Sequence, residues 1–172
     1  MAEADWRGRG WRGGLFLLIA AFVVVTDQIT KHWIRSNLSP DESLSEVGFV
    51  CITHVRNTGS AFGLFTNQAF LLSIVAVVGL VVILVFYRYL SSYSMLGTAA
   101  LGLVFGGAIG NQIDRMRLGH VTDFIRVRLW DGVYWPTFNV ADSAITVGVI
   151  VLACFIFWVL KKEDNSPAKS RS

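Results

Sequence analysis

The run from Ala144 to Leu160 contains no charged side chain, and a helix built from it is apolar enough to sit in a bilayer. Asp142 stands at its mouth. An acid costs about 2.5–3.5 kcal/mol at the centre of an inserted helix and less near the edge, so ionisable groups at a membrane rim are functional candidates by default. The plainer reading is an acid in the first turn of a helix, favoured by the dipole. The rest of the chain decides between them.

Three further stretches repeat the pattern. Leu15 to Val25 is purely apolar but holds only 11 residues, about 17 Å of helix against a hydrocarbon core of about 30 Å. That span has to continue through Thr26-Asp27-Gln28-Ile29-Thr30-Lys31, which puts Asp27 in or at the edge of the membrane. Asp27 and Lys31 lie four apart with the acid first, the better order for a helical ion pair. The stretch from Ala69 to Tyr87 is uniformly apolar and reads as scaffold. A span beginning at Met95 carries Gly102, Gly106 and Gly110 at intervals of four, a spacing that lets another helix approach closely in lipid. At 53% hydrophobic and 16% charged, the chain is far below the roughly 25% charge of soluble domains. The expected fold is all-α, a single membrane domain over 1–172. Its four transmembrane helices span about 13–31, 69–88, 95–112 and 141–160, and the loops about 32–68 and 113–140 form a small extracytoplasmic β-sheet.

Strand signals lie in those loops. Val47 to Val55 is short and β-branched. Ile125 to Leu129 alternates apolar and basic residues, Asp131-Gly132 is a two-residue hairpin signal, and Val133-Tyr134-Trp135 returns as partner before Pro136. Arg56 to Ser60 turns the chain, and Phe62, Leu64 and Phe65 are expected at the membrane surface. Cys51 and Cys154 do not form a framework, and the three histidines are scattered, so neither a metal nor a cofactor is expected. A net charge of +3 with scattered basic residues excludes nucleic-acid binding and fits topology signals and lipid head-group contacts. The Arg-rich segment before Gly14 reads as an uncleaved cytoplasmic tail.

With four spans, the end of the first, the end of the third and the start of the fourth share one membrane face. Asp27, Lys31, Asn111, Asp114, Arg115, Asp123, Asn139 and Asp142 therefore converge. Eight Lys and Arg lie on the side of the termini and seven on the side of the cluster. The positive-inside rule is thus nearly balanced, but three of the seven (Lys31, Arg56 and Arg115) adjoin polar residues that serve a site, so the termini are expected in the cytoplasm. Two carboxylates at a dry edge cannot both ionise easily and share one proton. One then acts as general base towards water and the other as general acid towards a carbonyl, which is peptide hydrolysis without metal or covalent intermediate. Asp123 and Asp142 are the favoured pair, with Asp27 and Asp114 as outside choices, and Asn57, Asn111 and Asn139 are placed to orient them. A proton relay would need acids strung across the membrane rather than gathered at one face. A Ser/Lys peptidase would need Lys31 neutral beside Asp27.

Five segments then carry a resemblance: Asp27-Gln28-Ile29-Thr30-Lys31, Arg56-Asn57-Thr58-Gly59-Ser60-Ala61-Phe62, Gly106 to Arg115, Gly119-His120-Val121-Thr122-Asp123-Phe124 and Phe138-Asn139-Val140-Ala141-Asp142-Ser143. In content and order they resemble bacterial lipoprotein signal peptidase, the signal peptidase II family. The resemblance implies an aspartyl endopeptidase of the inner membrane with its site on the outer side. It would remove the signal peptide of prolipoproteins just before a cysteine carrying diacylglycerol. It implies Asp123 and Asp142 as the catalytic pair, with Asp27, Lys31, Asn57, Asn111, Arg115, Asn139 and Ala141 supporting the site or binding substrate. Membrane lipid and the prolipoprotein are the expected partners, and the chain is expected to be a monomer.

Overall fold

A computed structural model describes residues 3–44, 48–59, 69–90, 94–130 and 132–164 of the chain. Its elements run α1 (Glu3–Asn37), β1 (Val50–Asn57), α2 (Ala69–Leu90), α3 (Met95–Leu118), β2 (Val121–Trp130), β3 (Val133–Tyr134) and α4 (Val140–Asp164). All four helices are long and apolar enough to cross a membrane, so the chain is a multi-pass membrane protein. The expected surface residues Phe62, Leu64 and Phe65, the start of the first strand signal at Val47, and Asp131 of the hairpin lie outside the described residues.

All four helices overrun the spans read from apolar runs, α1 and α3 the most. Helix α1 continues past Lys31 to Asn37, because its polar residues are satisfied within the helix. The Thr26 hydroxyl donates to Phe22 O at 2.8 Å and that of Thr30 to Thr26 O at 2.8 Å, while Asn37 Nδ2 closes the end by donating to Trp33 O at 2.8 Å. Helix α3 continues past Gln112 to Leu118, so Asp114 and Arg115 are helical rather than in a loop. It begins at Ser94, whose hydroxyl accepts from the Gly97 N–H, and ends at Gly119, whose φ of 74° supplies the left-handed cap.

Helix α3 is the inner helix. More than half of its membrane window is buried, 56%, against none of that of α2. Its glycines explain the packing. A methyl group at Gly106 would stand 2.7 Å from Ala20 O on α1, and one at Gly107 would stand 2.5 Å from Ala141 O on α4. Small residues bring both neighbours to backbone contact, and in lipid that contact replaces hydrophobic drive. At the other end, Phe16 of α1 stacks its ring against Tyr87 of α2 and Phe105 of α3, at 4.7 and 5.2 Å between centroids.

The sheet has order β1-β2-β3 and is antiparallel throughout. Its first strand starts later and ends later than the β-branched run alone implied, taking in Arg56 and Asn57, because these pair with Thr122 and Val121 of β2. Strand β2 likewise starts four residues before Ile125, which brings Asp123 onto the sheet. The underside rests on Ile34 in the overrun of α1 and on Leu38 just after it, through Phe124, Ile52 and Ile125. Cys51 is buried in β1.

Candidate active site

The beginning of α4 organises the site. Asn139 precedes the helix and makes a reciprocal cap with the residue three positions on. The Asp142 N–H donates to Asn139 Oδ1 at 2.9 Å, and the Asn139 N–H donates to Asp142 Oδ2 at 3.1 Å. Two orphan donors of the helix start are satisfied this way, and the Asp142 carboxylate is fixed in direction. The second half of the Asn139 amide is then free for the sheet. Its Nδ2 donates to Asp123 Oδ1 at 2.7 Å and to Asn111 Oδ1 at 3.1 Å. One fully buried side chain thus holds both acids.

The remaining carboxylate oxygens are held by the other two asparagines. Asn57 Nδ2 donates to Asp123 Oδ2 at 2.8 Å, and Asn111 Nδ2 donates to Asp142 Oδ1 at 2.8 Å. Asn57 reaches Asp123 because Val55, two residues earlier, is the cross-strand partner of Asp123, which makes Asn57 its diagonal neighbour. Asp123 and Asp142 line one small cavity of about 50 Å³ with Asn57, Asn111 and Arg115. Burial first, and the charge of Asp142 second, raise the Asp123 carboxyl to about 7, against the opposing pull of its two asparagine donors. Asp123 therefore keeps a proton near neutrality with a second carboxylate beside it, the condition for a shared-proton pair.

The two outside choices are occupied elsewhere. Asp27 is fully buried, pairs with Lys31 Nζ at 2.8 Å, and accepts the Ala141 N–H on Oδ1 at 3.0 Å. It ties α1 to the first turn of α4. Lys31 is equally buried and reaches on to Asn111 Oδ1 at 2.9 Å, so the pair also fixes the amide that holds Asp142. Asp114 accepts the Thr122 N–H at 2.9 Å and lies 3.4 Å from Arg35. Neither acid lines the paired-acid cavity. Ala141 has no exposed surface and lies 3.4 Å from where a methyl on Gly110 would sit, so its small side chain is a packing requirement.

Sequence reasoning missed three participants. Gln28 Nε2 bridges Asp27, Gly110 O and Asp114, Arg35 reaches Thr122 Oγ1 at 3.0 Å, and Thr122 anchors Asp114. The Asn139-x-x-Asp142 spacing was a readable sign of a helix cap. The long polar contacts of Gln28 and Arg35 left no local signal.

Four apolar helices with a paired-acid cavity at the head of α4 define a multi-pass membrane protein. Comparison with known proteins gives that class its family. The model of signal peptidase II (SPase II), peptidase A8, matches residues 19–158. A lipoprotein signal peptidase of Moorella thermoacetica is 46% identical over 153 residues, 88% of this chain and 99% of that protein. One from Staphylococcus aureus is 36% identical, covering 91% of this chain and 94% of the other. A solved structure described as a bacterial membrane enzyme, determined by the in meso method, superposes with a TM-score of 0.79 at 35% identity. It covers 92% of this chain and 95% of its own. The chain belongs to the signal peptidase II family, a family of proteases.

Proposed function

We propose that Asp123 and Asp142 are the catalytic pair with which this chain removes the signal peptide of diacylglyceryl-modified prolipoproteins, cutting before the lipid-bearing cysteine. The observation that carries the reading is the shared cavity, in which each carboxylate is oriented by two amide donors and no other acid intrudes. One carboxylate takes a proton from water as the water attacks the scissile carbonyl carbon. The other donates its proton to the carbonyl oxygen as that oxygen gains charge. Collapse of the tetrahedral species returns that proton, the leaving amine takes up the other, and the pair ends with one proton as it began. Asn57, Asn111, Asn139 and Arg115 position the acids and substrate, Asp27, Lys31 and Ala141 fix the helices that carry them, and no cofactor takes part.

Asp142 also borders an apolar groove of about 470 Å³ between Trp135, Phe138, Ile145 and Val147. An opening of that kind suits a substrate presented within lipid, where an apolar signal helix and acyl chains lie at the depth of α4. In this reading the site faces the outer side of the bacterial inner membrane, the termini are cytoplasmic, and the protein works as a monomer in contact with lipid. Incubation of the purified protein in micelles with a diacylglyceryl-modified prolipoprotein, followed by mass determination of the products, tests the activity. Absence of cleavage, or cleavage at another bond, overturns it. Orientation is tested by labelling from either side at Leu44→Cys, an exposed position, in a background lacking both native cysteines. The buried native Cys51 is unsuited to that purpose. Labelling from the cytoplasm would reverse the orientation.

A further inference from the structure

Asn57 turns its side chain to the acid pair, so the alternation of a strand sends Arg56 to the opposite face. A second cavity of about 410 Å³ lies there, between the end of α1, the segment that follows it and β1. Arg35, Ser39, His54, Arg56 and His120 line it, and no carboxylate is among its lining residues. Of the acids around it, Glu42 accepts the Ser39 N–H at 2.7 Å, Asp114 accepts the Thr122 N–H at 2.9 Å, and Asp41, next to the lining residue Pro40, donates its backbone N–H to His54 O at 2.7 Å. The Arg56 side chain is exposed and makes no hydrogen bond or ion pair among the described residues, while its backbone pairs with Thr122 in the sheet.

His54 supplies an independent observation. It is 4% exposed, and its Nδ1 lies 2.9 Å from Leu38 O. A carbonyl only accepts, so Nδ1 carries a proton and Nε2 is the nitrogen left to act. That Nε2 is buried with no partner, an unfavourable state until something fills it. Burial holds His120 below the usual imidazole range and the nearby Arg56 adds to the lowering, against the opposing pull of the Leu118 carbonyl and Asp114.

We propose that this cavity binds a phosphate anion bearing a free hydroxyl group, with the Arg56 and Arg35 guanidinium groups on the phosphate oxygens and His54 Nε2 taking the hydroxyl. Guanidinium forks match phosphate geometry, and a neutral imidazole nitrogen accepts what such an anion can donate. Two sources carry this chemistry, the head group of a glycerol-bearing anionic phospholipid and free phosphate. The cavity sits beside the polar end of α1, where head groups gather around a membrane protein.

Native mass spectrometry of the full chain in detergent, offered phosphatidylglycerol, phosphatidylcholine or phosphatidylethanol, reads the lipid source. Calorimetric titration with inorganic phosphate and with glycerol 3-phosphate reads the soluble one. Retention of one phosphatidylglycerol in preference to phosphatidylcholine, reduced about tenfold by Arg56→Gln, supports the site and assigns it to lipid; tenfold corresponds to the loss of one charge-assisted contact. Titration by the soluble ions with the same sensitivity, without lipid preference, supports the site and assigns it to free phosphate. Phosphatidylethanol has the charge but no free hydroxyl, so equal retention of it would overturn the role of His54. No binding by any probe, or binding that Arg56→Gln leaves unchanged in protein of normal helicity, would overturn the site.

Discussion

Helices α2 and α3 both cross the membrane, yet they are opposites. The window of α2 has a mean hydropathy of 3.0 and nothing in it is buried; that of α3 has 1.3 and is mostly buried. In a soluble protein the more apolar helix would be the inner one. In lipid the order reverses, because apolar side chains gain nothing by leaving acyl chains, whereas polar groups and close-packed glycines need protein around them. The helix that looks least like a span is therefore the one around which the site is built. Its Asn111, Asp114 and glycines are what lower its hydropathy.

The largest effects should come from the acids gathered beside α3. Asp123→Asn and Asp142→Asn should each lower turnover by about 10²–10⁴. The double change should be little worse than either, since groups acting as a unit are non-additive. Cleavage near the wild-type rate in either folded variant would remove the pair from the mechanism. Next comes Gly107→Ala, whose new methyl meets the Ala141 backbone. Displacing the start of α4 by even 1 Å should cost about 10²-fold in kcat. The matching change on α2, Gly79→Ala, meets nothing within 4 Å and should leave activity unchanged and stability within about 1 kcal/mol. Equal losses from the two substitutions would break the contrast between the helices.

The ion pair inside the bundle should show itself in stability. Lys31→Ala strands a buried carboxylate and should cost about 3–5 kcal/mol, whereas Asp27→Asn with Lys31→Ala should cost less than the sum of the single changes. Unfolding in mixed micelles measures both, and strict additivity would mean that the two groups do not couple. A gentler effect follows from the Asp123 carboxyl, raised to about 7. Between about pH 4 and 7 the folded chain holds a proton that the unfolded chain has released. Stability from this group is then complete below about pH 4, declines as pH rises to about 7, and is flat beyond. Asp123→Asn should remove that slope in unfolding midpoints taken across the window. In the wild type, turnover should decline above about pH 7 as the pair loses its shared proton.

Much of this was legible in the chain because membrane constraints are severe. An apolar run of 11 residues ending at Val25 had to continue through Asp27, and Asp27 is indeed wholly buried. The glycine spacing of α3 marked the contact with α1, and the Asp131-Gly132 signal marked the return of β3 to β2. The ends of α1 and α3 were not legible. Hydropathy marks where lipid stops, while hydrogen bonding decides where a helix stops, and both helices carry their polar ends onward into protein. The sequence favoured Asp123 and Asp142 over Asp27 and Asp114, but what occupies the latter two was not legible. Asp27 and Asp114 have the same chemistry as Asp123 and Asp142, and only three-dimensional neighbours such as Gln28, Arg35 and Thr122 separate those that are tied down from those that line the cavity.

The double engagement of Asn139 has a consequence for biogenesis. This residue and Asp142 lie at the head of the final helix, whereas Asp123 waits on a strand made earlier. While the chain is being synthesised, Asp27 has no Ala141 amide to accept and Asp123 has no Asn139 to orient it. A nascent protein inserted as far as its third helix thus lacks Asp142 and the amide groups that hold Asp27 and Asp123. Both contacts wait for the last helix to dock, since its start supplies Asn139 to Asp123 and the Ala141 N–H to Asp27. The acid cavity of this chain is thereby the last part of the fold to be completed.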